Sequence, residues 1–197
     1  MKELSRLALV LTVITAGAAL LLAMVESVTR DPIAQQRRLV TLNALKSVLP
    51  PADNSPDQDT VSLVTGKDKK GNDAETVFYR GRQGEDVSGI AFTVVAPDGY
   101  SGNISIMVGI DPVGHVSGIE VLQHAETPGL GAKVEESWWK EQFKGKGLDN
   151  ADWRVKKDGG EFDQITAATI TPRAIVGAVR RGLEFFKAHK AEIIGGA

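Results

Sequence analysis

The sequence contains no cysteine, and this absence removes several classes of function at once. Disulfides, thiol catalysis, zinc–thiolate sites and cysteine-ligated iron–sulfur clusters are excluded. The three histidines, His115, His124 and His189, do not have the spacing of a metal site. We therefore predict no metal site, and any redox centre must be organic or belong to a partner.

An excess of charge of one sign is also lacking. The 197 residues include 23 Lys and Arg against 25 Asp and Glu, a formal net charge of −2, so nothing in the charge favours nucleic acid as a partner. Hydrophobic residues make up 42% and charged residues 24%, which is typical of a globular protein. The length suits one domain of ordinary size, or one such domain with a membrane anchor.

One long apolar run is present, and it lies near the N-terminus. Leu7 to Val25 is uncharged, and as a helix of about 1.5 Å per residue it would span the hydrocarbon layer of a bilayer. A cleaved signal peptide is the alternative, but its apolar core is usually shorter and ends in a small-x-small site. We predict an uncleaved anchor in contact with membrane lipid. Lys2 and Arg6 precede it and place the N-terminus in the cytoplasm.

The segment after the anchor is predicted to be helical and to end at two prolines. Apolar residues recur at roughly helical spacing from Glu26 to Leu49. Pro50 and Pro51 then stop this amphipathic helix. The polar stretch 52–71 is predicted to be a loop or a weak edge strand.

From about Glu75 the apolar pattern changes from a period of 3.6 to a period of 2, which indicates strands. Turns at Pro97–Gly99 and Asp111–Gly114 separate these runs. We predict four strands of an antiparallel meander, at Thr76–Tyr79, Ile90–Ala96, Asn103–Ile110 and Val116–Leu122.

Two less regular elements are predicted after the meander. A helix at Lys133–Phe143 would direct Val134, Trp138 and Phe143 inward, and Trp153–Lys156 would form another strand.

The final helix is predicted from its start signals. Thr171 is a natural N-cap, and Pro172 fits the first helical position. The predicted apolar stripe is Ile175, Val179, Leu183 and Phe186. Together the elements predict an α+β fold with one N-terminal transmembrane helix and helices packed on an antiparallel sheet. The predicted division is 1–30 for the N-terminus and anchor, 31–72 for the amphipathic helix and linker, and 73–197 for the soluble domain.

A first candidate motif lies at the end of the meander, in Glu126-Thr127-Pro128-Gly129-Leu130-Gly131. Two glycines and a proline fix an unusual backbone path, and glycine lets a ligand approach the main chain closely. An ordinary loop between a strand and a helix has a similar composition, so both interpretations stay open on these residues alone.

A second candidate motif runs from Asp163 to Pro172, directly before the last helix, with hydroxyls at Thr166, Thr169 and Thr171. The first turn of a helix offers free N–H groups and the positive end of its dipole, which favour a phosphate. The hydroxyls could bond to a phosphate or be esterified by it. Simple helix capping explains the same residues, and it too stays open.

Together the two motifs resemble the FMN-binding domain found in the G subunit of the Rnf complex and in its relative, the C subunit of the sodium-pumping NADH:quinone oxidoreductase. The flavinylation motif of that family reads Asp-x-x-(Ser/Thr)-Gly-Ala-Thr-x-(Ser/Thr), and it is matched here by Asp163, Thr166, Ala168, Thr169 and Thr171. The resemblance covers nearly the whole chain. Ala167 departs from it, because the family usually has glycine there.

The resemblance implies a covalent FMN whose phosphate is esterified to Thr169, attached by an ApbE-type flavin transferase. The cofactor-binding residues that it implies are Thr166, Ala168, Thr169, Thr171, Glu126, Thr127, Gly129, Leu130, Gly131 and Lys133. It implies an electron carrier, not catalytic alone, with the other subunits of an ion-translocating ferredoxin:NAD oxidoreductase (Rnf) complex as partners. The location would be the cytoplasmic membrane of a bacterium or archaeon, with the flavin domain outside.

Two alternatives stay open from the sequence. One is the equivalent subunit of the sodium pump, which has the same flavin chemistry in another complex. The other is an anchored assembly or binding module without flavin. No G-x-G-x-x-G follows a strand, so hydride transfer from a bound nicotinamide is not predicted.

Overall fold

The structure is a computed structural model that describes residues 2–67, 71 and 73–195. It divides into two compact units, Met1–Thr41 and Leu42–Ala197. The first helix, α1 (Lys2–Val48), forms the first unit and supplies its last residues to the second. The predicted anchor and the predicted amphipathic helix are therefore one continuous element, with Pro32 inside it.

The N-terminal part of α1 is long and apolar enough to cross a membrane, and none of that stretch is buried by protein. Its side chains include Leu11, Leu21 and Met24, each more than 60% exposed. An uncharged helix with no protein over its apolar surface suggests membrane anchoring.

A five-stranded antiparallel sheet forms the centre of the second unit, with the strands in sequence order. The strands are β1 (Thr60–Lys67), β2 (Asp73–Gln83), β3 (Asp86–Gly99), β4 (Gly102–Ile110) and β5 (Val116–Gln123). The predicted α+β fold with an antiparallel meander is confirmed. The stretch 52–71 contains the edge strand β1, and the part of it at 68–70 lies outside the described residues.

The long C-terminal helix, α3 (Ile170–Gly195), packs on one face of the sheet. The alternating residues of β4 and the predicted stripe of α3 are buried there: Ile104, Ile106, Val108, Ile110, Ile175, Val179, Leu183 and Phe186. Gly182 allows a close approach, since a Cβ there would lie 2.6 Å from Val94 and 2.8 Å from Phe92. Each large apolar side chain buried in this way stabilises the domain by about 1.5–3 kcal/mol.

The last turn of α1 packs on the opposite face of the sheet. Leu45 and Val48 are buried there with Ala91 and Met107. The hydroxyl of Ser117 donates a hydrogen bond of 2.5 Å to the carbonyl of Val48, which satisfies one of the free carbonyls at the helix end.

The predicted helix at Lys133–Phe143 is wrong in detail. A 3₁₀ turn covers Gly131–Glu135, and a short helix, α2, covers Ser137–Glu141. Glu136 lies between them with an extended backbone, φ −67° and ψ 139°, which interrupts the helical repeat. As a result Trp138 is half exposed, against the prediction, and Trp139 is buried instead.

The predicted strand at Trp153–Lys156 is reduced to one isolated parallel bridge between Val155 and Phe162. Aromatic packing takes the place of a ladder in this region. Trp139, Phe143, Trp153 and Phe162 form a cluster with ring centroids 4.8–6.3 Å apart. The indole N–H of Trp139 donates to the carbonyl of Asp163 at 2.8 Å, so the cluster also holds the start of the second motif.

Asp59 provides a pH-dependent contribution to stability beside β2. Its carboxylate accepts hydrogen bonds from Arg80 Nε at 2.7 Å and Arg82 Nε at 2.5 Å. Burial raises the pKa of Asp59, but the two guanidinium groups outweigh burial and hold it below the ordinary value of 3.8. We expect Asp59→Asn to lower the free energy of unfolding by about 2 kcal/mol at pH 7.

The pKa of Asp59 is lower in the folded than in the unfolded protein, so its contribution to the free energy of unfolding is complete above about pH 3.8, the ordinary pKa. The contribution is lost as the pH falls through the lower pKa of the folded state. Urea unfolding of the full-length protein in mild detergent should therefore show the wild type and Asp59→Asn converging in strong acid. Asp98→Asn, at an exposed position, is the control and should change little at either pH. An Asp59→Asn deficit that persists unchanged in strong acid would contradict this assignment.

Candidate functional site

Both sequence motifs line one cleft of about 390 Å³. The turn between β3 and β4 forms its third side. The lining residues are Tyr100, Glu126, Thr127, Leu130, Gly131, Ala167, Ala168, Thr169, Ile170 and Thr171. The sequence placed the two motifs 37 residues apart, counting from Glu126 to Asp163, and the fold brings them together.

Glu126 joins the three sides of the cleft. Only 5% of this residue is exposed. One carboxylate oxygen accepts the backbone N–H of Ser101 at 2.9 Å, and the other accepts the hydroxyl of Thr171 at 2.5 Å. Hydrogen bonds to a charged group are among the strongest in proteins, so this pair of bonds fixes the turn, the loop and α3 relative to each other.

Two glycines make room for this carboxylate. A Cβ at Gly131 would lie 2.5 Å from Glu126 Oε2 and 2.8 Å from the hydroxyl of Thr171. A Cβ at Gly99 would lie 3.0 Å from Glu126 Oε1. Glycine at these two positions, one in the first motif and one at the end of β3, therefore allows the buried side chain to pack.

His124 orients the start of the first motif. Its Nδ1 lies 3.0 Å from the backbone N–H of Glu126 and can only accept that hydrogen bond. In the neutral ring Nε2 then carries the proton and donates to Glu135 at 2.9 Å. This role of His124 could not be predicted from the sequence, because its partner in Glu126 is a backbone group that no residue pattern reports.

The second motif contains a tight turn before α3. The N–H of Ala168 donates to the carbonyl of Ile165 at 3.0 Å, and Thr166 and Ala167 are the central residues. Ala167 has φ of 64°, the one positive value at a residue other than glycine in the described chain. A positive φ at the third residue only is typical of a type II turn, which favours glycine there.

Thr169 occupies the N-cap position of α3, because its carbonyl accepts the first intrahelical bond, from the N–H of Arg173 at 3.4 Å. The prediction that Thr171 caps the helix is wrong. Thr171 lies inside the first turn, and its hydroxyl donates to the carboxylate of Glu126 instead of accepting a backbone N–H. Pro172 accordingly lies in the first turn but not at its first position.

The three threonines of the second motif have different environments. Thr171 is buried and hydrogen-bonded, and Thr166 is exposed and lies outside the cleft lining. Thr169 is half-buried and lines the cleft. Within the described part of the chain, no hydrogen bond involves the Thr169 hydroxyl.

Seven of the ten predicted cofactor-binding residues line the cleft, and Gly129, Lys133 and Thr166 do not. Gly129, with φ of 74°, shapes the loop whose carbonyl at Thr127 accepts hydrogen bonds from Leu130 and Ala132. Lys133 is exposed on the 3₁₀ turn.

Cations near the second motif are paired with carboxylates. Lys156 Nζ lies 2.6 Å from Asp163 Oδ1, and Arg173 forms two bonds of 2.7 Å with Asp158. The hydrogen bond from Arg173 holds the pKa of Asp158 below its ordinary range. These pairs connect the loop before Thr169 to the first turn of α3.

Two parts of the chain match known protein families. Residues 99–184 match the FMN-binding domain family, and this range contains the whole cleft lining. Residues 1–48 match the RnfG N-terminal region.

Relatives named as the G subunit of an ion-translocating oxidoreductase complex are similar along almost the full length. The one from Aliivibrio fischeri strain ES114 is 41% identical over 191 residues, 94% of this chain and 91% of its own. Those from Shewanella loihica and Yersinia pestis are 41% and 42% identical over 88% and 91% of this chain, and 85% and 88% of their own lengths. The chain belongs to this family, the G subunits of ion-translocating oxidoreductase complexes, and the resemblance seen in the sequence is confirmed.

Two solved structures share the fold. NqrC of Shewanella oneidensis is 21% identical, with a TM-score of 0.52 over 76% of this chain and 72% of its own. The C subunit of the Na⁺-translocating NADH-quinone reductase of Parabacteroides distasonis is 15% identical, with a TM-score of 0.59 over 79% of this chain and 94% of its own. At these identities the likeness shows the fold alone.

The chemistry of the cleft fits FMN. Exposed apolar side chains of Tyr100, Leu130 and Ile170 suit a flat aromatic ring. The N-cap hydroxyl of Thr169 and the free N–H groups of the first turn of α3 suit a phosphate.

The strain at Ala167 generates a testable prediction. An L-residue other than glycine at positive φ costs about 1–2 kcal/mol in the folded state. Glycine loses more conformational entropy than alanine on folding, which costs about 0.5–1 kcal/mol. We expect Ala167→Gly to raise the free energy of unfolding by about 0.5–1 kcal/mol in urea titration.

Ala168→Gly is the matched control, because Ala168 has no positive φ and packs against the core. It should lower the free energy of unfolding. If both substitutions destabilise the protein equally, the turn is not strained at Ala167.

Proposed function

We propose that this chain is a membrane-anchored electron carrier of an ion-translocating ferredoxin:NAD oxidoreductase complex, and that it carries FMN covalently on Thr169. The observation that carries the proposal is the contrast among the three motif threonines. Thr169 alone combines a place in the cleft, partial exposure and a hydroxyl without a partner among the described residues. Thr171 already donates to Glu126, and Thr166 lies outside the cleft lining.

At the phosphorus, the proposed attachment forms one bond and breaks one bond. The Thr169 oxygen attacks the phosphorus on the FMN side of FAD, and the bond between the two phosphates breaks. AMP leaves, and the hydroxyl proton passes to a base of an ApbE-type flavin transferase. The chain is the substrate of this step, and no electrons are transferred in it.

The cleft residues would hold and orient the bound group. Leu130 and Tyr100 would cover the apolar ring, and the N–H groups at the start of α3 would face the phosphate. FMN supplies the redox chemistry, and the protein supplies position and electrostatics. Thr127, Gly131, Ala168 and Ile170 complete the wall.

The proposed partners follow from the carrier role. Electrons would arrive from, and leave to, other membrane and soluble subunits of the complex, so the chain is not catalytic alone. The relatives are named as subunits of an ion-translocating oxidoreductase complex, which supports this assignment.

Covalent flavin is tested by the Thr169→Ala variant. The full-length protein is expressed with the flavin transferase, denatured and separated on a gel. We expect the wild-type band to fluoresce under ultraviolet light and its Thr169 peptide to gain the mass of FMN less water, while Thr169→Ala is dark.

Thr166→Ala is the matched control, because it removes an exposed hydroxyl three residues away. It should keep the fluorescent band. A wild-type band that stays dark would overturn the proposal and favour a non-redox anchored module. Fluorescence that disappears in Thr166→Ala and persists in Thr169→Ala would move the attachment to Thr166.

Orientation in the membrane is proposed from the Lys2 and Arg6 charges, with the N-terminus cytoplasmic. The lack of native cysteine makes a labelling test clean. In spheroplasts, an impermeant maleimide should label Lys157→Cys, on an exposed turn of the domain, at once. Glu3→Cys should be labelled only after the membrane is opened, and the reverse pattern would contradict the proposed orientation.

A further inference from the structure

Glu126 places a carboxylate in the wall of the cleft where the flavin is proposed to bind. The residue is 5% exposed, so solvent screens it little. Both groups that face its oxygens, the N–H of Ser101 and the hydroxyl of Thr171, donate hydrogen bonds. This surrounding matches an ionised carboxylate, which accepts hydrogen bonds only.

Among the described residues, no cation neutralises this carboxylate directly. Within the part of the chain that the structure describes, no lysine, arginine or histidine nitrogen forms an ion pair with Glu126. His124 bonds to the backbone N–H of Glu126 and not to its side chain. Two cations near the second motif are paired elsewhere, Lys156 with Asp163 and Arg173 with Asp158.

The carboxylate is also held in one position. It packs closely against Gly131 and Gly99, since a Cβ at either position would lie within 3.0 Å of one of its oxygens. A fixed charge that is shielded from solvent acts more strongly on a neighbouring group than the same charge in water.

We propose that Glu126 is a positioning and potential-setting residue, whose fixed negative charge lowers the reduction potential of the flavin in this cleft. The inference rests on the proposed function. Reduction by two electrons with uptake of one proton adds one negative charge to the flavin, and repulsion by Glu126 makes that addition less favourable. Glu126 itself neither gains nor loses electrons or protons in this role.

The test separates the charge of Glu126 from its hydrogen bonds. In Glu126→Gln the amide oxygen can accept from Ser101, and the amide nitrogen can donate to the Thr171 oxygen, so both contacts persist without the charge. In Thr171→Val the charge persists and one hydrogen bond is lost. Glu141→Gln removes an exposed charge at the end of α2 and serves as the control.

The measurement is the midpoint potential of the flavin in the full-length loaded protein, followed by absorbance during a reductive titration. We expect Glu126→Gln to raise the equilibrium constant for reduction of the flavin about tenfold. For a two-electron couple this raises the midpoint potential by about 30 mV. Thr171→Val and Glu141→Gln should not raise the potential by that amount.

An unchanged midpoint potential in Glu126→Gln would overturn the inference. An equal rise in Thr171→Val would also overturn it, because the lost hydrogen bond alone would then explain the effect. If Glu126→Gln does not load flavin, Glu126→Asp and Glu126→Ala replace it. The potential should stay low in the aspartate variant and rise in the alanine variant, and a rise in both would overturn the inference. A wild-type protein without flavin overturns the proposed function, and this inference with it.

Discussion

The cleft of this protein depends on one buried carboxylate. Glu126 accepts a hydrogen bond from the β3–β4 turn through Ser101 and another from α3 through Thr171. A buried carboxylate without such donors costs several kcal/mol. The three segments therefore cannot separate without leaving that charge unpaired, and the bonds that satisfy Glu126 also keep the cleft in shape.

The negative charge of the same carboxylate makes the start of α3 less favourable for a phosphate. A helix N-terminus favours an anion, but the carboxylate of Glu126 bonds to the hydroxyl of Thr171 in the first turn and brings negative charge there. Lys133 lies outside the cleft lining, and Lys156 and Arg173 are committed to ion pairs. Under the proposed function, a covalent ester explains how a phosphate stays at Thr169 without a basic pocket, since a covalent bond does not depend on favourable local charge.

Much of the fold was predictable because its signals are local. The alternation in β4 and the stripe on α3 report burial directly, and both predictions are confirmed. The helix predicted at Lys133–Phe143 failed because the extended backbone of Glu136 shifts the inward position from Trp138 to Trp139. Residue periodicity carries no signal for such an interruption.

The candidate site shows the same division. The two motifs were visible in the sequence, and the family resemblance implied a glycine preference at position 167. The positive φ of Ala167 gives that preference its physical cause. The capping role predicted for Thr171 was wrong, because a partner 45 residues away competes for its hydroxyl. Sequence patterns of capping describe only the neighbours along the chain.

The second motif is held in place by residues that are distant along the chain, so its geometry forms only after folding. Asp163 is held by the indole of Trp139, 24 residues earlier, and Thr171 by Glu126, 45 residues earlier. The acceptor hydroxyl is thus presented in its observed geometry only when the surrounding domain has folded. Under the proposed function, a modifying enzyme that recognises this geometry would load finished domains and pass over unfolded chains, so that cofactor attachment would also act as quality control.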